Sequence, residues 1–135
     1  MSLYDFRIIA TKQPCTRATE LSFGYDIRTP KAFEIGPNST EIIPTGVLVV
    51  LNPLIVAMIC SRSGLSTKGI IVANSPGIID ADYRDEIKII LHNLGKKAYS
   101  FNEGDRIAQM VFVRAFTATD VIGDQREGGL GSTGA

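Results

Sequence analysis

The sequence predicts an all-β domain, a sandwich or a barrel, from three observations. Its apolar segments are short and rich in β-branched residues, turn residues punctuate them roughly every eight to twelve positions, and no long amphipathic stretch reads as a helix. At 135 residues there is room for one domain. The candidate strands run in order through Arg7–Ala10, Glu41–Ile43, Val47–Leu51, Ile55–Ile59, Gly69–Ala73, Glu86–Leu91 and Ile107–Phe116. Between them stand Thr29-Pro30, Gly36-Pro37-Asn38, Pro44-Thr45-Gly46, Asn52-Pro53, Ser75-Pro76-Gly77, Asn93-Leu94-Gly95 and Glu103-Gly104-Asp105, all turn formers. The stretch Ser63 to Lys68 is the best helical candidate and has length for one turn at most.

Two strands, Val47-Leu48-Val49-Val50 and Ile87-Lys88-Ile89-Ile90-Leu91, read apolar on both faces. Either they are central strands of a sandwich or their second face is buried against another subunit, and the pattern alone fits both. After Ile122 the composition changes to a glycine-rich tail with one large apolar side chain, Leu130, so residues 1–122 read as the folded domain and 123–135 as a mobile arm. Taken alone, such a tail is usually disordered, although Arg126, the backbone amides and the Ser132 and Thr133 hydroxyls suit a flap over phosphates.

Composition excludes several classes. With 14 basic and 14 acidic residues there is no net field to hold a polyanion, which argues against a sequence-independent nucleic-acid binder. Cys15 and Cys60 are too far apart in sequence for a zinc pair and His92 is the one histidine, so a zinc site is not expected. Cys60 reads as a buried reduced thiol, and Cys15, in a polar stretch, as incidental. No apolar run approaches the roughly 20 residues of a membrane span and the start is unlike a signal peptide, so a soluble, intracellular protein is expected.

The chemistry-bearing segment is Asn74 to Glu86, in which Asp80 and Asp82 lie between a Pro-Gly turn and Tyr83, with apolar strands on either side. Carboxylates among apolar strands need a reason to be there. Read singly, an Asp-x-Asp beside a glycine turn is an ordinary loop, Arg62, Arg84 and Arg106 are surface ion pairs, and His92 is a satisfied structural residue.

Taken together with four other segments, this run resembles the motifs of the trimeric dUTP pyrophosphatases, in the family's order. They are Gly24-Tyr25-Asp26-Ile27, Arg62-Ser63-Gly64-Leu65, the Asp80 run itself, Gly104-Asp105-Arg106-Ile107-Ala108-Gln109, and Gly128-Gly129-Leu130-Gly131-Ser132-Thr133-Gly134. The resemblance implies a jelly-roll-like distorted β-barrel that assembles as a homotrimer, with active sites shared between subunits. It implies hydrolysis of dUTP to dUMP and pyrophosphate, which clears dUTP from the nucleotide pool and supplies dUMP for dTMP synthesis. Asp80 would activate the water, and Asp26 would hold the Mg²⁺ of the substrate, in part through water. Arg62, Ser63 and Gly64 would contact phosphates, and Gln109 a phosphate or a metal-bound water. Asn74, Gly77 and Ile79 would present backbone to the uracil edge from a hairpin, and Tyr83 would pack on the deoxyribose. Arg126, Leu130, Gly131 and Ser132 would belong to the closing arm. The expected compartment is the cytoplasm, with the nucleus as the alternative for a eukaryotic or viral source. Neither nucleic acid nor membrane is expected as a partner.

The residue types suit that reaction. Hydrolysis of the α–β phosphoanhydride needs an oriented water, neutralised phosphate charge and a stabilised leaving group. A carboxylate is a weak base but is ionised at neutral pH and can orient the water. Two features depart from the family. Leu130 stands where the arm carries an aromatic, and one residue, Glu127, separates Arg126 from the Gly-Gly pair where the family has two. A less tightly closing arm and a weaker Michaelis constant are the expectation, so Leu130→Phe should lower KM or raise turnover several-fold. Two alternatives compete. A dCTP deaminase shares the Gly-x-Ile-Asp turn but needs a glutamate late on the following strand, and Glu86 to Asn93 has none there. A nucleotide-binding regulator on the same scaffold would retain binding without turnover.

Overall fold

A computed structural model describes residues 5–123. The all-β expectation holds. Among the described residues there are twelve strands: β1 Arg7–Ala10, β2 Thr16–Arg17, β3 Tyr25–Arg28, β4 Phe33–Ile35, β5 Thr40–Pro44, β6 Val47–Val50, β7 Ile55–Cys60, β8 Ile70–Val72, β9 Gly77–Ile79, β10 Lys88–Asn93, β11 Tyr99–Phe101 and β12 Arg106–Arg114. The helix α1, Ser63–Ser66, is the single turn expected between β7 and β8. The arm residues Arg126, Leu130, Gly131 and Ser132 lie outside the described residues.

The strands form a five-stranded sheet in the order β2-β3-β12-β7-β9, a three-stranded sheet β5-β10-β8, and the pairs β1-β6 and β11-β4. All pairings are antiparallel. The apolar positions the sequence alternates along these strands meet in one core, with Ile27, Ile35, Ile89, Leu91, Ala108 and Met110 wholly buried. Buried polar groups tie the sheets together. Thr45 Oγ1 donates to the Ile87 carbonyl at 2.5 Å, and the Ile87 N–H donates to the Val47 carbonyl at 2.7 Å. Asn93 Nδ2 donates to the carbonyls of Ile35 and Lys97, at 3.1 and 2.9 Å. A buried amide with partners on both sides holds the β10–β11 turn in place.

The strands absent from the sequence reading are β2, β3, β4, β9 and β11, each of two to four residues. Pieces this short carry too few alternations to show a period, and neighbours with longer registers recruit them. At the other extreme β12 stops at Arg114, short of Phe116, whose ring is exposed. Glu86 is not part of β10. Its Oε2 instead accepts the Gly46 N–H at 2.7 Å.

The doubly apolar strands separate into two cases. Strand β10 lies between β5 and β8, so a central position accounts for its apolar second face. Strand β6 pairs with β1 alone among the described residues, while Leu48 and Val50 on its second face are half-buried. No helix of the described residues is long and apolar enough to cross a membrane.

Candidate functional site

Strand β7 organises the site. On one side it pairs with β12, with Cys60 opposite Gln109, and β12 carries Gln109 on to Asp26 of β3. The ladder therefore brings Asp26 and Gln109 side by side, and the chain leaving β7 delivers Ser61, Arg62 and Ser63 to the same end. Arg62 Nε lies 3.7 Å from Asp26 Oδ1, and Arg106 Nη1 lies 3.9 Å from Asp26 Oδ2. Gln109 Nε2 donates to the Ser61 carbonyl at 3.0 Å. Asp26, Arg62, Arg106 and Gln109 line a cavity of about 290 Å³ together with Ser63, Ser22, Phe23 and Gly24. A β-carbon on Gly24 would stand 2.3 Å from Gln109 Oε1, so glycine is what lets the glutamine side chain lie there.

The cradle is cationic, with two guanidiniums around one carboxylate. Both contacts are longer than a direct hydrogen bond, so the oxygens of Asp26 remain open to a further partner. No group of three or more His, Cys, Asp or Glu among the described residues could hold a metal ion. A lone carboxylate beside two guanidiniums fits a cation that keeps most of its waters better than one held by a full set of protein ligands.

Cys15 lies close to the site in its electrostatics. Although its neighbours in sequence are polar, it is half-buried and packs on the core. Burial pushes its thiol up to about 11, with the negative charge of Asp26 adding to the effect. Cys60 is free, as expected, but half-buried rather than buried. His92 is satisfied by Thr40, Oγ1 to Nδ1 at 2.8 Å.

Asp80 is at the other end of β7. Strand β9 runs antiparallel to β7 with Gly77 opposite Ile59 and Ile79 opposite Ala57, so Asp80 follows abreast of Val56. At about 3.3 Å per residue, the six positions from Val56 to Arg62 put roughly 20 Å between Asp80 and the cradle. Asp80 is exposed and lines a separate cavity of about 590 Å³ with Leu51, Pro53, Ala81, Asp82 and Arg84. The two cavities share no lining residue. Tyr83 is fixed by its own loop, its N–H donating to the Asp80 carbonyl at 3.1 Å and its hydroxyl to the Glu86 carbonyl at 2.7 Å.

Between Asn74 and Tyr83 stands one strand, β9, which pairs with β7, while β8, just before the segment, pairs with β10, so the chain crosses between sheets here. Gly77 is buried, and a β-carbon there would meet Asn74 Nδ2 at 2.9 Å, so the close approach is to that side chain. Asn74 is exposed, and Ile79 packs partly buried on the core.

Two residues gain importance that sequence reasoning did not give them. Arg106, read as a surface pair, shares Asp26 with Arg62. Ser61 joins three segments: its N–H donates to Ser75 Oγ, its Oγ accepts the Val72 N–H, and its carbonyl accepts from Gln109. Arg106 lies inside the Gly-Asp-Arg motif, where a signal existed; Ser61 had none.

The dUTPase family model matches residues 10–134. The chain belongs to the dUTPase family. It is 44% identical over 126 residues to the deoxyuridine 5'-triphosphate nucleotidohydrolase of Rickettsia typhi, covering 87% of this chain and 85% of that one. It is 36% identical to the enzyme of the same name from Legionella pneumophila, with 99% and 95% covered. Among solved structures the fold is similar to the EIAV dUTPase, with a TM-score of 0.78, 24% identity, and 91% and 99% of the two chains covered. The dUTPase of Staphylococcus bacteriophage 80alpha gives a TM-score of 0.81 at 22% identity, with 92% and 99% covered. Membership in the dUTPase family replaces the dCTP deaminase alternative.

Proposed function

We infer that this protein hydrolyses dUTP to dUMP and pyrophosphate. The observation that carries the reading is the cradle at the end of β7, where Arg62, Arg106, Ser63 and Gln109 surround a single carboxylate. Such a site suits a magnesium-bound polyphosphate, and dUTP as the nucleotide comes from the family. Asp26 holds the hydrated Mg²⁺, which when bound neutralises phosphate charge. Arg62, the Ser63 hydroxyl, the open backbone of Gly64 and Gln109 hold the phosphates. Asp80 orients the water that attacks the α-phosphorus, the bond to the bridging oxygen breaks, and pyrophosphate departs. Backbone from Asn74 to Ile79 reads uracil, Tyr83 packs under the deoxyribose, and Arg126, Leu130, Gly131 and Ser132 close over the substrate.

A general base acts within hydrogen-bond reach of its water, and roughly 20 Å along β7 is far beyond that. The cradle of one chain therefore works with Asp80 of another, in a homotrimer whose sites lie between subunits. The half-buried apolar face of β6 supports a subunit contact. The reading also implies an intracellular, cytoplasmic enzyme.

The deciding experiment is pyrophosphate release from dUTP with magnesium, beside dTTP, dCTP and UTP, by the full chain and by one ending at Ile122. Selective dUTP hydrolysis that falls sharply on truncation is expected. Binding of dUTP without turnover would instead make the protein a nucleotide-binding regulator.

A further inference from the structure

A second cavity, of about 570 Å³, adjoins the cradle, and Arg62 and Arg106 line both. The two arginines are thus shared by a space that suits the substrate phosphates and a larger one beside it. The larger cavity adds Lys68, set on a floor that includes Tyr99 and Phe101. Its one carboxylate, Asp105, is engaged within its own turn, Oδ2 accepting the Asn102 N–H at 2.7 Å. Lys68 makes no ion pair among the described residues; its Nζ stands 5.9 Å from the centroid of the Tyr99 ring. Tyr99 in turn packs on Phe101, and Phe101 stacks on Phe33 with centroids 4.7 Å apart. The aromatic layer positions the ammonium, and an apolar wall strengthens its field in the cavity. This positive excess is local, because the whole chain is formally neutral.

These features select a ligand. The charge calls for a multiply charged anion. Lys68 Nζ stands over the Tyr99 ring and Phe101 is buried, which favours a compact anion over a second nucleotide. A β-carbon on Gly64 would meet nothing within 4 Å, so the backbone there is open to such an anion. We propose that this cavity is the exit subsite for pyrophosphate, with Lys68 as a phosphate ligand that the intact substrate does not use. The inference rests on the dUTP reading. While the nucleotide is intact its sugar and base tether the phosphates to the cradle. Once water has bonded to the α-phosphorus and the bridging oxygen has left with pyrophosphate, the untethered anion can pass along Arg62 and Arg106 to Lys68.

The test compares the inhibition constant of pyrophosphate with the KM of dUTP in Lys68→Ala and Lys68→Arg, alongside calorimetric titration of pyrophosphate into the full chain without nucleotide. Loss of one charge-assisted contact should weaken pyrophosphate roughly tenfold in Lys68→Ala. The KM of dUTP and the inhibition constant of dUMP should move far less, and Lys68→Arg should restore pyrophosphate binding. If KM and the pyrophosphate constant rise in step, Lys68 belongs to the substrate site and the proposal fails; it fails equally if neither moves. Failure of the unsubstituted protein to turn over dUTP would sink the parent reading separately. In that event calorimetric binding weakened by Lys68→Ala would keep the anion subsite, and absence of binding would end both.

Discussion

The two ends of β7 are built in different ways. At the Cys60 end, contacts join residues far apart in sequence: Arg62 and Arg106 to Asp26, Gln109 to Ser61, Ser61 to Val72 and Ser75. At the Asp80 end they are mostly local, with Tyr83 bonded to Asp80 and Glu86, Arg84 to Ala81, and the Glu86 N–H to Asp85, although Glu86 Oε2 also accepts the distant Gly46 N–H. A cradle assembled by several strands is held rigidly and can select charge before substrate arrives. A turn held by its neighbours in sequence keeps its shape yet presents its carboxylate outward, to solvent. On the reading proposed above, one half of the site would be finished within the subunit and the other by assembly.

The largest effect should come from Asp80→Asn. If Asp80 orients the water, its loss lowers kcat by about 10²- to 10⁴-fold while KM and thermal stability stay near those of the parent, because none of the long-range bonds involves this side chain. Steady-state kinetics with a melting curve checks both. Near-normal kcat would move the role to Asp82 and dissolve the contrast between the two ends.

Next in size is the recovery of activity on mixing. An Asp80→Asn chain and a Ser63→Ala, Gln109→Ala chain should each be nearly inactive alone. Co-expressed and randomly assembled, roughly a quarter of their sites pair an intact Asp80 with an intact cradle on another chain. Activity recovered to that level separates a shared site from a single-chain one, which would recover nothing.

Much of this architecture is legible in the sequence, and the illegible parts have physical causes. The long strands and α1 announce themselves because β-branched runs bounded by Pro, Gly and Asn have few other uses. Asp26, Ser63, Asp80 and Gln109 are marked by their motifs, but their placement at opposite ends of one strand is not. That depends on β9 pairing with β7 instead of β8, a choice made by burial across sheets. Ser61 is hidden for a related reason, since its role lies in three long-range bonds that a local pattern cannot encode.

A smaller effect sharpens the rigid end. Gly24→Ala puts a β-carbon against Gln109 Oε1, so the glutamine must swing away and the Ser61 carbonyl loses its donor. A destabilisation of about 1 kcal/mol by denaturant titration and a several-fold rise in the KM of dUTP are expected. Gly64→Ala, where a β-carbon meets nothing, is the control for stability. Equal stability losses in the two would mean that packing around Gln109 is not what glycine protects.

The smallest effect reports on Asp26 without any substrate. Cys15 titrates near 11 instead of 9.0, first through burial and then through the charge of Asp26. In the unfolded chain the thiol loses its proton near its ordinary value, whereas the folded chain keeps it until near 11. The unfolded state therefore binds fewer protons between these values, and the stability associated with this thiol is lost as pH rises through that window. In a Cys60→Ala background, the pH dependence of the rate of thiol alkylation follows Cys15 alone, free of the tyrosinate absorbance that overlaps the thiolate band. Asp26→Asn should lower the midpoint but leave it above the ordinary value, because burial, the larger cause, remains. An unchanged midpoint would mean that Arg62 and Arg106 already cancel the charge of Asp26. The carboxylate would then have little field left for a hydrated cation, and the cradle would have to bind its triphosphate through the guanidiniums alone.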